Sequence, residues 1–575
     1  MYNRYLWVEK SGNSITWPDM GRIWLWLNMK DLSDAPAVPY GWAPRYWFWW
    51  SASRVLQDYD FRGNRLEIID EFPFFSYLLG DLHPHVLAMP FGLLAVALAL
   101  NLYLGGWRGV TELFGFKIPV RKQGLALMAV VLGGLAFLNT WDFPIYLAVV
   151  SGAFILTLVN ERGWSWKLVE DFLVFSIPLA LASILLYLPF YLSFSSQAGG
   201  IVPNVIYPTR GAYLWIMFAT LLVPLFLFLL SLLGNRAANW IKGFLLIIGL
   251  TLALWAFSTV LGIFASQTDV GRSFLTSQGL TTTRDVLAAA IVRRFQYGGG
   301  LLTLIFLVGA ALAYLCKMAP KSESESKSTD GPSPVPFVLM FITFGGLLVL
   351  APDFIYLRDQ FGWRMNTVFK FYYQAWALWS LAAAFGIVVL FRELRGIKLG
   401  LFTAVMAVIL LMGLTYPVLA LPNKTDNFNA ANPAARTLDG AATLQAYNPD
   451  DYAAIQWLTQ AQPGTVAEAA VNPSAYSELA RVSTFSGQPA VLGWTNHEGQ
   501  WRGGNTEIGS RADDLTLLYT TSNWIDAEAI LKRYDIRYVY IGRLERTTYK
   551  VDERKFSANL SEVYKQGDVV IYEAP

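Results

Sequence analysis

Ten apolar stretches, most of them long enough to cross a bilayer, leave this chain few folds to choose from. They run over roughly 86–104, 124–139, 144–160, 171–192, 212–233, 243–264, 299–316, 335–351, 367–390 and 399–420. A bilayer core about 30 Å thick takes ~20 residues of helix, and lipid offers no partner to an unpaired backbone group. Such stretches therefore become helices packed side by side, and the expected fold is an all-α polytopic transmembrane bundle of about ten helices over 86–421. The composition agrees, with 15% charged residues where a soluble domain carries about a quarter. Twenty-two Trp and 28 Tyr suit the membrane interface. A formal net charge of only +2, without a basic run interleaved with aromatics, excludes nucleic acid and leaves membrane lipids as the expected surroundings. The single cysteine, Cys316, excludes an intramolecular disulfide and a thiolate-rich metal site.

The loops between spans give the chain an orientation. Arg108, Lys117, Arg121 and Lys122 follow the first span, Arg162 and Lys167 the third, and Arg236 and Lys242 the fifth. Lys317, Lys321 and Lys327 follow the seventh, and Arg392, Arg395 and Lys398 the ninth. By the positive-inside rule these loops are cytoplasmic, so the alternate loops and both ends lie outside, in a cell-membrane protein with many passes. Residues 317–335, rich in Ser, Glu, Lys and Pro, form a flexible cytoplasmic loop. An amphipathic helix is expected over 285–294 in one outside loop. Residues 1–85 form an aromatic-rich extracytoplasmic segment, including Trp24, Trp26, Trp42, Trp47, Trp49 and Trp50. That segment begins without a signal peptide or a preceding span, which leads us to expect further helices upstream of Met1. From 422 to 575 the chain turns polar, with strands expected at 537–542 and 568–572 and a helix at 527–534, hence a C-terminal extracytoplasmic α/β domain.

Four groups of polar residues gather on that outer side. In the first, Glu71 to His85, Asp81 suits a helix start just ahead of Pro84, whereas His83 and His85 have no role as caps. Two chemical readings stand side by side: a divalent metal held by Asp81, His83 and His85, or a metal-free site in which Asp81, with Glu71 as alternate, is the catalytic base. In the second, Arg358, Arg364 and Lys370 sit on the side that topology leaves poor in cations, near Asp359 and Asn366. Guanidinium forks and an ammonium at a membrane edge suit the phosphate of a lipid. The third is Asn139 with Asp142, where Asp142 either caps a helix or lines the same cleft. The fourth, in the tail, sets His497 and Glu498 between two tryptophans, as a sugar-contacting surface for an acceptor or as a seam between domains.

The segments Glu71–Ser76, Leu79–His85, Leu138–Asp142 and Arg364–Trp376 together resemble the "YYY" family of uncharacterised polytopic membrane proteins of bacteria and archaea, along nearly the whole chain. The resemblance implies a GT-C-like architecture, similar to membrane glycosyltransferases that take sugar from a polyprenyl-phosphate donor to an acceptor on the outer face. The family's triple-tyrosine segment and an acidic loop motif would lie upstream of Met1, and in GT-C enzymes the catalytic acid lies in the first outside loop. The competing class is a non-enzymatic lipid-binding protein or transporter. No internal repeat accompanies the polar groups here, and they collect at the outer edge rather than at mid-membrane, which favours the transferase.

Overall fold

A computed structural model describes residues 48–80, 82–113, 115–194, 199–234, 238–280, 282–318, 332–359, 361–428, 437–471, 475–502 and 504–575. The chain divides into two compact units, 1–193 with 199–427, and 194–198 with 428–575.

The first unit is helical. A short helix α1 (Pro73–Leu79) precedes α2 (Pro84–Tyr103), α3 (Lys122–Leu138), α4 (Asp142–Arg162), α5 (Lys167–Leu186) and α6 (Gly211–Ser231). Then come α7 (Trp240–Ser266), α8 (Thr283–Gln296), α9 (Gly299–Leu315), α10 (Val335–Leu350), α11 (Met365–Glu393) and α12 (Gly396–Lys424). Each of the ten expected stretches carries one of these helices, and α8 occupies the expected amphipathic segment. Among the described residues eight helices are long and apolar enough to cross a membrane. The pair α8 and α9, bent by 64°, makes a ninth if taken as one span. Helix α3, with 17 residues, is shorter.

Burial ranks the helices. The span that begins with α10 has 78% of its apolar window inside the protein, against 17% for α7 and 11% for α12. The centre of the bundle is therefore α10 with α11 against it, and α7 and α12 turn apolar faces outward, as lipid contact permits. The α10–α11 approach depends on Gly345, where a Cβ would lie 2.4 Å from Trp379 Nε1. The same indole N–H donates to the Ile342 carbonyl at 3.1 Å, so the contact is polar as well as close.

At one end of the bundle short extended pieces tie the helices together. Strands β1 (Gln57–Tyr59) and β2 (Arg65–Glu67) form an antiparallel hairpin. Strand β3 (Ile201–Pro203) pairs antiparallel with β4 (Ile355–Leu357) just before α11. Asp70, wholly buried, accepts from the Val55 and Leu56 amides at 3.0 and 3.2 Å and so fastens the hairpin to the entry of α1. Burial pushes its pKa up to about 7 against the pull of those amides and of Arg54.

In the second unit, strands β5 (Thr465–Ala467), β6 (Ile536–Ile541), β7 (Ser561–Gln566) and β8 (Val569–Glu573) form a mixed sheet in the order β5-β6-β8-β7. Only β5 and β6 run parallel. The alternation along the strands decides the layers. Tyr538, Tyr540, Val569 and Ile571 face helix α13 (Pro449–Gln460), while Val539, Ile541, Val570 and Tyr572 face α14 (Arg511–Thr520) and α15 (Trp524–Arg533). Helices thus cover both faces of the sheet. The junction falls later than the expected 421, since α12 continues to Lys424 and the units part after 427.

Candidate functional site

The first side chains of the site are placed by a helical reversal. Pro73 starts α1 with a fixed φ, and Gly80 ends it at φ +78°, donating its amide to the Ser76 carbonyl. The chain then doubles back, and Pro84 starts α2 behind His83 at the capping position. This brings the first turn of α2 against α1. Ser76 Oγ donates to Glu71 Oε2 at 2.9 Å, and His85 Nε2 lies 3.2 Å from Ser76 Oγ and 3.5 Å from the same Glu71 oxygen. With the hydroxyl proton directed at the carboxylate, the serine presents its lone pair to the ring, so Nε2 carries the hydrogen. The serine is thus aimed away from the histidine that would activate a nucleophile. The His85 ring is held edge-on by Phe369 and Tyr373 of α11, with centroids at 4.7 and 4.6 Å.

Asp142 comes from the break between α3 and α4. It is the first residue of α4 and lies inside the bundle. Its Oδ1 accepts from Asn139 Nδ2 at 3.0 Å and from Gln374 Nε2 at 2.8 Å, and Gln374 is fixed in turn by Tyr146 Oη at 2.7 Å. The Asp142 carboxylate is thus turned to side chains inside the bundle rather than to the free amides of its own helix. Its Oδ2 is buried and has no hydrogen-bond partner among the described residues. Two polar atoms of α11 share that condition, Tyr373 Oη and Trp376 Nε1, although the phenol lies beside Ser76. Lys370, half-buried one turn earlier on α11, feels the charges of Asp142 and Asp359 and sits 5.2 Å from the Trp141 ring centre. Asp359 is held by Asn366 Nδ2 at 2.9 Å, so Lys370 lies between two pairs, Asn139 with Asp142 and Asn366 with Asp359.

Arg364 does not join them. It is 1% exposed, forks onto Asp58 with two 2.7 Å bonds, and gives its remaining terminal nitrogen to Asp353 at 2.7 Å and Thr209 at 3.0 Å. Four of its five N–H groups are thereby spent. The expected phosphate clamp of Arg358, Arg364 and Lys370 is corrected accordingly: Arg364 is a buried strut, Arg358 is exposed beside β4, and only Lys370 faces the Asp142 cleft.

Asp81 lies outside the described residues, and with it the expected base and one ligand of the expected metal. His83 and His85 have ring centres 5.1 Å apart. Among the described residues no group of three His, Cys, Asp or Glu side chains converges as a metal would need. His497 and Glu498 belong to the other unit. There His497 packs against Tyr476 and Trp494 with centroids at 5.0 and 5.3 Å, and Glu498 pairs with Arg502 at 2.6 Å and accepts from the Gly493 amide.

Sequence reasoning missed Asp58, Thr209, Tyr373 and Gln374. The available signal was a glutamine and two tyrosines in a row, Tyr372 to Gln374, inside an otherwise apolar span; a polar group there needs a partner or a use. No curated protein matches the chain. A family model described as "Uncharacterized membrane protein (DUF2298)" matches residues 15–379, which takes in every first-unit residue of the site and ends before 428–575. The chain belongs to this family of polytopic membrane proteins.

Proposed function

We propose that the protein is a membrane glycosyltransferase of GT-C type, moving a sugar from a polyprenyl-phosphate donor to an acceptor hydroxyl at the extracytoplasmic face. The observation that carries this reading is the buried Asp142 carboxylate, which has one oxygen fixed by two amides and the other unpaired among the described residues. An unpaired carboxylate oxygen inside a bundle costs stability, and such groups concentrate where chemistry uses them. The loop charges support an outer location, and the apolar helices around the site suit a donor with a polyprenyl tail.

In this reading the acceptor hydroxyl donates to Asp142 Oδ2. Its oxygen forms the new bond to the anomeric carbon as the proton passes to the carboxylate, and the bond from that carbon to the phosphate oxygen breaks, its electron pair leaving on the lipid phosphate. Lys370, in reach of the Asp142 charge, is the cation that would balance that phosphate. Glu71 is the alternate base, but its Oε2 already accepts from Ser76, so Asp142 is preferred.

The test is transfer from labelled polyprenyl-phosphate sugars by the full chain in membranes. Asp142→Asn keeps an Oδ1 that accepts from Asn139 and Gln374 and alters only the unpaired atom; transfer is expected to fall about 10²–10⁴-fold. No transfer from any donor, together with specific uptake or flipping of the labelled lipid, would favour the lipid-binding or transport alternative.

A further inference from the structure

A cavity opens in the first unit beside Asp58, lined by the β1–β2 hairpin, the 206–210 segment and the end of α8. Its volume is about 310 Å³, at the small end of the ~300–1,000 Å³ range of ligand pockets. We propose that it binds a neutral saccharide.

The lining argues against a charged ligand. Asp58 and Asp60 stand against Arg210 and Arg293, and both signs are already engaged. Asp58 is forked by Arg364, and Asp60 holds the amide and side chain of Asn64 at 2.7 Å each. Arg293 donates to the carbonyls of Tyr59, Ile206 and Asp60. Arg210 reaches Tyr213 Oη at 3.0 Å and lies 5.3 Å from the Tyr297 ring centre. An anion would meet two carboxylates, and a cation two guanidinium groups.

What the cavity offers instead is apolar ring surface beside hydrogen-bonding groups. Tyr59, Phe61, Tyr207 and Tyr297 supply the rings. Gln57 is 6% exposed, its Oε1 accepts from Tyr59 Oη at 2.9 Å, and its buried Nε2 has no hydrogen-bond partner among the described residues. A sugar ring presents apolar C–H faces and a polar rim, which this combination matches, and one or two rings suit the volume. Asp58 also links the cavity to the transfer site: Arg364 joins it to the start of α11, and Lys370 lies six residues, or ~9 Å, further along that helix. As the seat of the acceptor the cavity rests on the transferase reading; as a saccharide site it stands on its own lining.

The experiment is saturation-transfer NMR on the full chain in nanodiscs free of sugar detergents. The probes are the methyl glycosides of glucose, galactose, mannose and N-acetylglucosamine, with inorganic phosphate as counter-probe. We expect millimolar binding of at least one glycoside, weakened about tenfold by Gln57→Leu and by Tyr297→Ala, both in the cavity lining. If Gln57→Leu fails to fold, Tyr297→Ala decides. Absence of transfer from every glycoside, equal binding by wild type and a folded variant, or displacement of the glycoside by phosphate overturns the proposal. Glycoside binding that depends on Gln57 without any transferase activity would sink the transferase reading alone, and transfer without glycoside binding would sink the cavity alone.

Discussion

Two polar clusters at one end of the same bundle are built on opposite terms. Around Arg364 both carboxylates are answered: Asp58 takes two bonds from it, Asp353 one, and Thr209 bridges Arg364 to Asp353, while the Nε of neighbouring Arg294 is buried without a partner among the described residues. Around Asp142 the scaffold stops half-way. One carboxylate oxygen is fixed and its twin is not, and Tyr373 Oη, within reach of the Asp142 charge, is buried in the same condition among the described residues. A closed network rigidifies, whereas an incomplete one keeps donors and acceptors available for something not yet bound. Helix α11 is divided accordingly: its capping residue Arg364 holds the hairpin, the 209 loop and the end of α10 in register, and Lys370 and Gln374 further along reach Asp142.

The largest expected effect breaks the closed cluster. Arg364→Ala leaves Asp58 and Asp353 buried without their counter-charge, a situation that typically costs 3–5 kcal/mol. Thermal unfolding in detergent should show a loss of that order, and adding Asp58→Asn and Asp353→Asn to the same variant should recover part of it. A variant that melts like wild type but no longer binds lipid phosphate would reverse the roles given to the two clusters.

That division was only partly open to the sequence. The ten helices were legible because hydropathy over ~20 residues depends on little except composition. The strands at 536–541 and 569–573 were legible because alternation decides which face is buried. The convergence of Asn139, Asp142 and Lys370 could be anticipated from topology, which puts them at one end of the bundle. The fate of Arg364 could not. Whether a guanidinium meets a ligand or a carboxylate depends on Asp58, 306 residues away, and no local pattern encodes that pairing. For the same reason Asp58, in a three-residue strand, and Thr209, in a loop, carry no local sign of their partners.

The second unit contains a closed cluster of its own, and it sharpens the contrast through pH. Arg481 is forked onto Asp451 and Glu545, and Glu468 beside it accepts from the amides of Val482 and Ser483 at 2.8 Å each. Burial nonetheless pushes the Glu468 pKa up to about 7, against the pull of those bonds and of Arg481. A raised carboxyl pKa means the folded state holds a proton that the unfolded chain has released. Its contribution to stability is therefore greatest below about pH 4.5 and is lost as pH rises to about 7. Melting of this unit within the full chain should fall between pH 5 and pH 7.5 by a larger amount in wild type than in Glu468→Gln. Equal slopes would show that Glu468 is ionised throughout.

The smallest expected effect tests the open cluster itself. Tyr373→Phe removes only a buried hydroxyl that lies beside Ser76 without the geometry of a full hydrogen bond, while its ring continues to hold His85 edge-on. An unsatisfied buried hydroxyl costs about 1–3 kcal/mol, so its removal should leave melting unchanged or raise it slightly. Transfer should fall by roughly threefold to tenfold if that hydroxyl bonds the substrate, the worth of about one hydrogen bond. The two readings move in opposite directions, which a structural hydroxyl would not produce. A drop in melting of several degrees would mean that the phenol is satisfied within the fold. The open cluster would then shrink to the Asp142 carboxylate, with Lys370 in reach of its charge.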